Sequence, residues 1–394
     1  MPRFEPFTGI RYGSDADHLD AVTAPPYDVL SERDVDELLA RHPHNIVAID
    51  VPREADGEGR YEAAAKRLGS WLADGVLVRD EVPSFTVYRM SFVDEAGVGR
   101  STVGVIGALE VVDEGAGGVL PHERTTPKAK TDRLDLTRAT SANLSPVWGL
   151  SLASGLSALL AEPGEAMGSV TSDGVTHTVE RVSDPERVAA IEAAVGAEPV
   201  VIADGHHRYA ISRTYRDEQR LAGGAGGAEL TMTYIGELVE DQLSVEAIHR
   251  LYSDVDLDAL VARLEGSFVF EEAGQVTAGF AREVVERAAL CLVRADGSGV
   301  WMTPRPGAFP GVRDLDSSRL EQALAGFEHT VSYQHGVAHV VDAVAAGTAV
   351  AGVLIRPVSV AEIRRTADEG LLMPPKSTFF TPKLRTGLVV RPID

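Results

Sequence analysis

Residues 200–211, VVIADGHHRYAI, constrain the fold more than any other stretch of the chain. Val200, Val201 and Ile202 form a short β-branched run of the kind that a buried strand uses. Gly205 supplies a sharp turn, and the residues from Tyr209 to about Arg220 read as a helix. Asp204, His206, His207 and Arg208 therefore crowd the carboxyl end of a strand and the first turn of a helix. Backbone N–H groups are open at such a place, and the helix dipole favours an anion. The motif admits three roles. In the plainest, Asp204 is an N-cap and the histidines are surface residues of a first turn. A tight zinc site is disfavoured, because adjacent histidines on a turn point in different directions and neither HExxH nor a His/Cys spacing accompanies them. An anion site built from Gly205, His206, His207 and Arg208 accounts best for so many functional side chains in six residues.

Composition narrows the possible partners. The chain has 394 residues, 44% of them hydrophobic, enough for a substantial core and for two domains or one large one with an appendage. The division is expected near residue 250, with the DGHHR motif in 1–250 and a second α/β region in 251–394. A formal net charge of −22 argues against nucleic acid and anionic membranes as partners. The single cysteine, Cys291 in the apolar stretch AALCLVRA, makes no internal disulfide, reads as buried, and fits a reducing cytoplasm. The opening MPRFEPFTGIRYG lacks a signal-peptide core, which also points to a cytoplasmic location. The weakly polar run 340–355 reads as a helix and a strand, not a membrane span.

The pattern along the chain predicts a mixed α/β fold. Helices are expected at 31–41 and 61–74, a short strand at HNIVAID, strands at 84–92 and 101–112, and a surface connection at 162–174.

Lysine usage singles out two further motifs. Of 37 basic residues five are lysine, and Lys128, Lys130, Lys376 and Lys383 fall within PHERTTPKAKTDR and MPPKSTFFTPKLRTG. A compact, mobile ammonium where the chain otherwise uses arginine suits phosphate coordination. In the first motif, His122 and Glu123 offer an acid/base pair, while Arg124, Lys128, Lys130 and Arg133 supply positive charge. Taken alone, that motif reads first as a salt-bridged surface loop. In the second, Ser377 and Thr378 place hydroxyls beside Lys376 and Lys383. The chain contains no GxxxxGK[ST], GxGxxG or GxSxG, so P-loop, Rossmann and nucleophile-elbow chemistries lack sequence support.

In order along the chain, APPYDVL, HNIVAID, LPHERTTPKAKTDR, IADGHHRYA and MPPKSTFFTPK resemble the bacterial and archaeal family catalogued as domain of unknown function 1015. More distantly, strand, Asp-Gly-His-His-Arg, helix is similar to the nucleotide-binding signature of the ParB/sulfiredoxin fold, and above all of its free-serine kinases. The resemblance implies a ParB/sulfiredoxin-like nucleotide-binding core with added α/β segments, in which Gly205, His207 and Arg208 hold nucleotide phosphates. His206 stands where sulfiredoxin chemistry requires a cysteine, which removes that activity.

The function expected is phosphotransfer to a small hydroxyl metabolite, with serine or phosphoserine as substrate and ATP, ADP or another phosphate donor as nucleotide partner. Gly205, His206, His207 and Arg208 would hold phosphate together with Lys128, Lys130, Arg133, Lys376, Ser377, Thr378 and Lys383. Asp204 or Glu123 would deprotonate the acceptor, and Asp204 would also ligate Mg²⁺. A phosphatase on the same substrates and a non-catalytic nucleotide sensor are the alternatives. The lysine and histidine motifs are expected to share one pocket.

Overall fold

The β-branched run at 200–202 is buried on both faces, as a strand inside a covered sheet requires. In the computed structural model, which describes residues 1–13, 18–54, 59–94, 97–123, 130–224 and 226–393, the chain divides into two units. The first comprises Met1–Phe92, Gly99–Leu243 and Pro382–Asp394, and the second Val93–Val98 and Ser244–Thr381. Each mixes helices and sheet, so the fold is mixed α/β.

The first unit carries a nine-stranded sheet. Its strand order is Val119–Pro121, Val200–Asp204, Val147–Ser151, Leu230–Glu237, Gly99–Glu110, Phe85–Val93, Val175–Val182 and Glu165–Ser172, with Phe4–Glu5 pairing off this path with Gly99–Glu110. Val119–Pro121 runs parallel to Val200–Asp204, and Val147–Ser151 lies antiparallel on its other side. Phe4, Phe85, Val105, Leu109, Val200, Ile202 and Tyr209 share one apolar cluster. The rings of Phe4 and Phe85 stack with centroids 5.0 Å apart. They lie so close to Gly107 that a Cβ there would come within 2.5 Å of Phe4.

Helix signals were legible where caps mark them. Ser31 caps the helix Glu32–Arg41 in a capping box with Asp34. The helix Arg60–Ala73 lies within a residue of its expected span. HNIVAID, expected as a strand, instead contains a single helical turn, Val47–Asp50. Asn45 decides this: its Oδ1 accepts from Val47 N at 3.0 Å while its Nδ2 donates to the carbonyl oxygens of Ala21 and Thr23. All four residues of the turn are buried, so the run shows no alternation that would separate helix from strand.

The expected surface connection at 162–174 is also corrected, because Glu165–Ser172 forms an edge strand in a hairpin with Val175–Val182. Asp173 and Gly174 both take positive φ, 53° and 76°, the Asp-Gly turn that matches strand twist. The exposed edge position leaves most of that strand without an apolar pattern.

The second unit has a six-stranded antiparallel sheet, ordered Phe268–Gln275, Ser298–Pro304, Leu290–Val293, Ala351–Leu354, Ile248–Ser253 and Thr330–His335. Leu290 and Leu292 enter one apolar cluster, and Cys291 and Val293 another. Alternate residues of a strand point to opposite faces, so this short run is apolar throughout. Cys291 is buried and its thiol is pushed up to about 12 by burial, as expected of a packing cysteine. No helix among the described residues is long and apolar enough to cross a membrane.

Buried histidines couple each unit to pH. His177 in the first unit meets the Tyr88 hydroxyl at 2.7 Å and is pushed down to about 4, chiefly by burial and then by the charge of Arg385. His249 in the second is pushed down to about 3 by burial, aided by His335 and Arg250. A depressed histidine is protonated more readily when unfolded, so its stabilisation is complete above the unfolded pKa and is lost as pH falls through the folded one. Between about pH 6.5 and pH 4, unfolding free energy should fall by about 3 kcal/mol through His177 alone. Denaturant titrations of wild type and His177→Gln across this range should show a shallower pH slope in the variant. Equal slopes would mean that His177 titrates normally in the folded chain.

Candidate functional site

Two motifs meet because their strands are parallel neighbours. Val119–Pro121 pairs with 200–202 in register Val200 to Val119 and Ile202 to Pro121. His122 and Glu123 therefore leave the sheet at the same end as Gly205 and His206, the end at which α/β sheets place ligands. His122 is fully buried, and its Nδ1–H donates to the Ile202 carbonyl at 2.5 Å. Its ring centroid lies 5.0 Å from that of His206. Burial lowers the pKa of His122 against the pull of Glu123, so the ring is neutral and ties the two strand ends together.

Gly205 fulfils the turn that the sequence assigned to it. It sits at φ 83°, ψ 28° as the N-cap of the helix His206–Leu221, which has no side-chain cap. A Cβ at Gly205 would lie 3.0 Å from Arg208 Nε and 3.1 Å from its Cζ. Glycine is thus required both by the left-handed backbone and by the guanidinium packed over it. The positive end of the helix dipole at this first turn favours an anion.

Asp204 ends the strand and does not cap the helix. Its Oδ2 accepts from Arg208 Nη2 at 3.3 Å and from Lys383 Nζ at 3.4 Å. Burial works to raise its pKa, but Lys383, then Arg208 and His206, outweigh burial and hold the carboxyl well below the usual range. Arg208 is itself mostly buried. It donates through Nη1 to the Pro146 carbonyl, while its buried Nε has no hydrogen-bond partner among the described residues. Burial works to lower its pKa, yet Asp204, Asp28, Tyr27 and Asp50 together raise it, so the guanidinium stays charged.

Lys383 of the last lysine motif is thereby brought to the DGHHR turn. His207 is half-buried in the first helical turn. Lys128, with Arg124, lies outside the described residues, and Lys130 opens the helix Lys130–Thr140. Arg133 on that helix pairs with Asp50 and Asp132. Its Nη1 donates to the Asp50 carbonyl and, at 3.1 Å, to Asp50 Oδ1, and its Nε donates to Asp132 at 2.9 Å. Lys376, Ser377 and Thr378 belong to the second unit. There Ser377 Oγ is buried and donates to the Pro374 carbonyl at 2.8 Å, and the Lys376 carbonyl accepts from Arg250.

Beside Arg208 lies a cleft that sequence inspection did not assign. It is partly open to solvent, with about 50 Å³ of room for the centres of water-sized molecules, and its walls include Tyr27, Asp50, Arg133, Thr137, Arg208 and Ser212. Tyr27 and Asp50 come from APPYDVL and HNIVAID. The available signals were the two prolines fixing the path into Tyr27 and an acid closing a buried apolar turn. The Arg133 guanidinium lies 4.2 Å from the Tyr27 ring centroid. Asp50 is 2% exposed; burial raises its pKa against the attraction of Arg133 and Arg208. Among the described residues no group of three or more His, Cys, Asp or Glu is arranged to hold a metal.

Comparison with solved structures places this chain beside three distant neighbours. A conserved hypothetical protein from Pyrococcus furiosus is 13% identical, with TM-score 0.37 over 67% of this chain and 87% of its own. A free serine kinase in complex with AMP is 15% identical, with TM-score 0.37 over 69% and 89%. SbnI with C-terminal truncation from Staphylococcus aureus is 12% identical, with TM-score 0.40 over 73% and 87%. No curated protein matches the sequence. A family model described as Protein of unknown function (DUF1015) matches residues 4–318, and the chain belongs to that family.

Proposed function

We propose that the chain is a phosphotransfer enzyme that holds the phosphates of a nucleotide at the start of the helix His206–Leu221 and passes a phosphoryl group to the hydroxyl of a small metabolite, with serine the favoured acceptor. One observation carries this: Lys383 and Arg208 both pair with Asp204 at a helix start that no side chain caps. Two fixed cations beside the positive end of a helix dipole form a cradle for a polyanion. Phosphoryl transfer asks mainly for positioning and for stabilisation of charge on the moving group, which such a cradle supplies.

The carboxylates divide the remaining work. The acceptor oxygen forms the new P–O bond, the donor's bridging P–O bond breaks, and the acceptor's proton has to leave. Asp204 is held ionised so strongly that it is a poor proton acceptor. Glu123, half-buried just after the neighbouring strand, takes that role. Both ion pairs of Asp204 use Oδ2, so Oδ1 is the atom suited to Mg²⁺, which commonly takes one or two carboxylates together with substrate phosphates. The ion, when bound, would neutralise charge on the phosphates.

Arg208→Ala should weaken nucleotide binding by about 1.5–3 kcal/mol, the value of a charge-assisted hydrogen bond. Calorimetric titration of ATP, ADP and pyrophosphate into the full chain measures this. Affinity equal to wild type would confine Arg208 to its structural contacts with Pro146 and Asp204.

Glu123 and Asp204 should separate by what their loss affects. Incubation with L-serine, Mg²⁺ and each donor, following phosphoserine in both directions, should show Glu123→Gln slowed roughly 100-fold or more with nucleotide affinity kept. Asp204→Asn should lower both turnover and melting temperature, because Lys383 and Arg208 lose their shared counter-charge. A wild type that binds nucleotide but forms no phosphoserine with any donor would contradict serine kinase activity.

A further inference from the structure

The cleft beside Arg208 has a charge pattern that the phosphate cradle does not use. Its wall carries one buried carboxylate, Asp50, and two guanidiniums, Arg133 and Arg208, with hydroxyls at Thr137 and Ser212. Five separated segments of the first unit build it. Arg133 is held in place by Asp132, by the Asp50 carbonyl and side chain, and by the Tyr27 ring. Arg208 reaches the cleft with its Nε unpaired among the described residues. The room for the centres of water-sized molecules is about 50 Å³, enough for a few waters or one very small molecule.

Ligand classes can be separated by charge. A simple anion would bring negative charge against Asp50, which is already buried. A simple cation would meet two fixed guanidiniums. A molecule with one ammonium and one carboxylate complements both, pairing its ammonium with Asp50 and its carboxylate with the arginines. We propose that this cleft is an α-amino-acid subsite, with Asp50 recognising the ammonium group and Arg133 and Arg208 the carboxylate. Burial raises the pKa of Asp50 above the ordinary carboxylate range, and a bound ammonium would offset that cost. This rests on the phosphotransfer assignment only in making the bound amino acid the acceptor; Arg208, common to the cradle and the cleft, would then set acceptor beside donor.

The test is calorimetric titration of the full chain with L-serine, D-glycerate and ethanolamine, and separately with ADP. L-serine should bind, and glycerate (no ammonium) and ethanolamine (no carboxylate) should each bind roughly tenfold more weakly or worse. Asp50→Asn should weaken L-serine roughly tenfold while leaving ADP within about twofold. Because Asp50 also pairs with Arg133, its variant carries a folding risk, and Thr137→Leu provides a second test. That change narrows the cleft without touching a charge and favours the helix Lys130–Thr140. It should abolish L-serine binding and keep ADP binding. No L-serine binding to wild type, or undiminished binding to Thr137→Leu, overturns the subsite. L-serine binding that follows these expectations without any nucleotide binding upholds the subsite and overturns the phosphate cradle instead.

Discussion

The arrangement depends on one shared charge. Asp204 Oδ2 accepts from both Arg208 and Lys383, joining the end of a strand, the start of a helix and the C-terminal segment. Ion pairs taken out of water gain little unless each partner is further satisfied. Here Arg208 also donates to the Pro146 carbonyl, which fixes its guanidinium over Gly205. The left-handed glycine, the uncapped helix and the orientation of Arg208 follow from that single junction. Replacing Gly205 by any residue with a Cβ would strain the turn and push against the guanidinium together.

Three carboxylates near this junction are set apart by their surroundings. Neighbouring cations hold Asp204 ionised against its burial, whereas burial raises the pKa of Asp50 in spite of Arg133. Glu123 is half-buried just beyond the neighbouring strand. The opposite shifts of Asp204 and Asp50 show how surroundings set chemically similar groups apart. The neutral ring of His122 bridges the two strand ends beside this junction.

The strand, turn and helix at 200–221 were legible because β-branched residues, glycine and helical spacing agree there. The Asp173-Gly174 hairpin was legible in principle, but its exposed edge strand lacks the apolar alternation that marks strands. The turn at Val47–Asp50 was not legible, since Asn45 makes its deciding bonds to residues more than 20 positions away. Of the site, the crowding of charge around Gly205 could be read directly. That Asp204 would pair with Lys383 rather than cap the helix could not, because the two lie 179 residues apart. Tyr27 and Asp50 escaped notice for the same reason: neither resembles a catalytic motif until the fold sets both beside Arg208.

The most direct measurement is a crystal structure of the full chain with ADP and Mg²⁺ bound. The expected result has the terminal phosphate on the backbone N–H groups of the first turn of the helix His206–Leu221, with Arg208 Nε as a donor and Lys383 within charge-pairing distance. Nucleotide phosphates bound elsewhere, with Arg208 and Lys383 still engaged by Asp204 alone, would contradict the assignment of this helix start as the phosphate cradle.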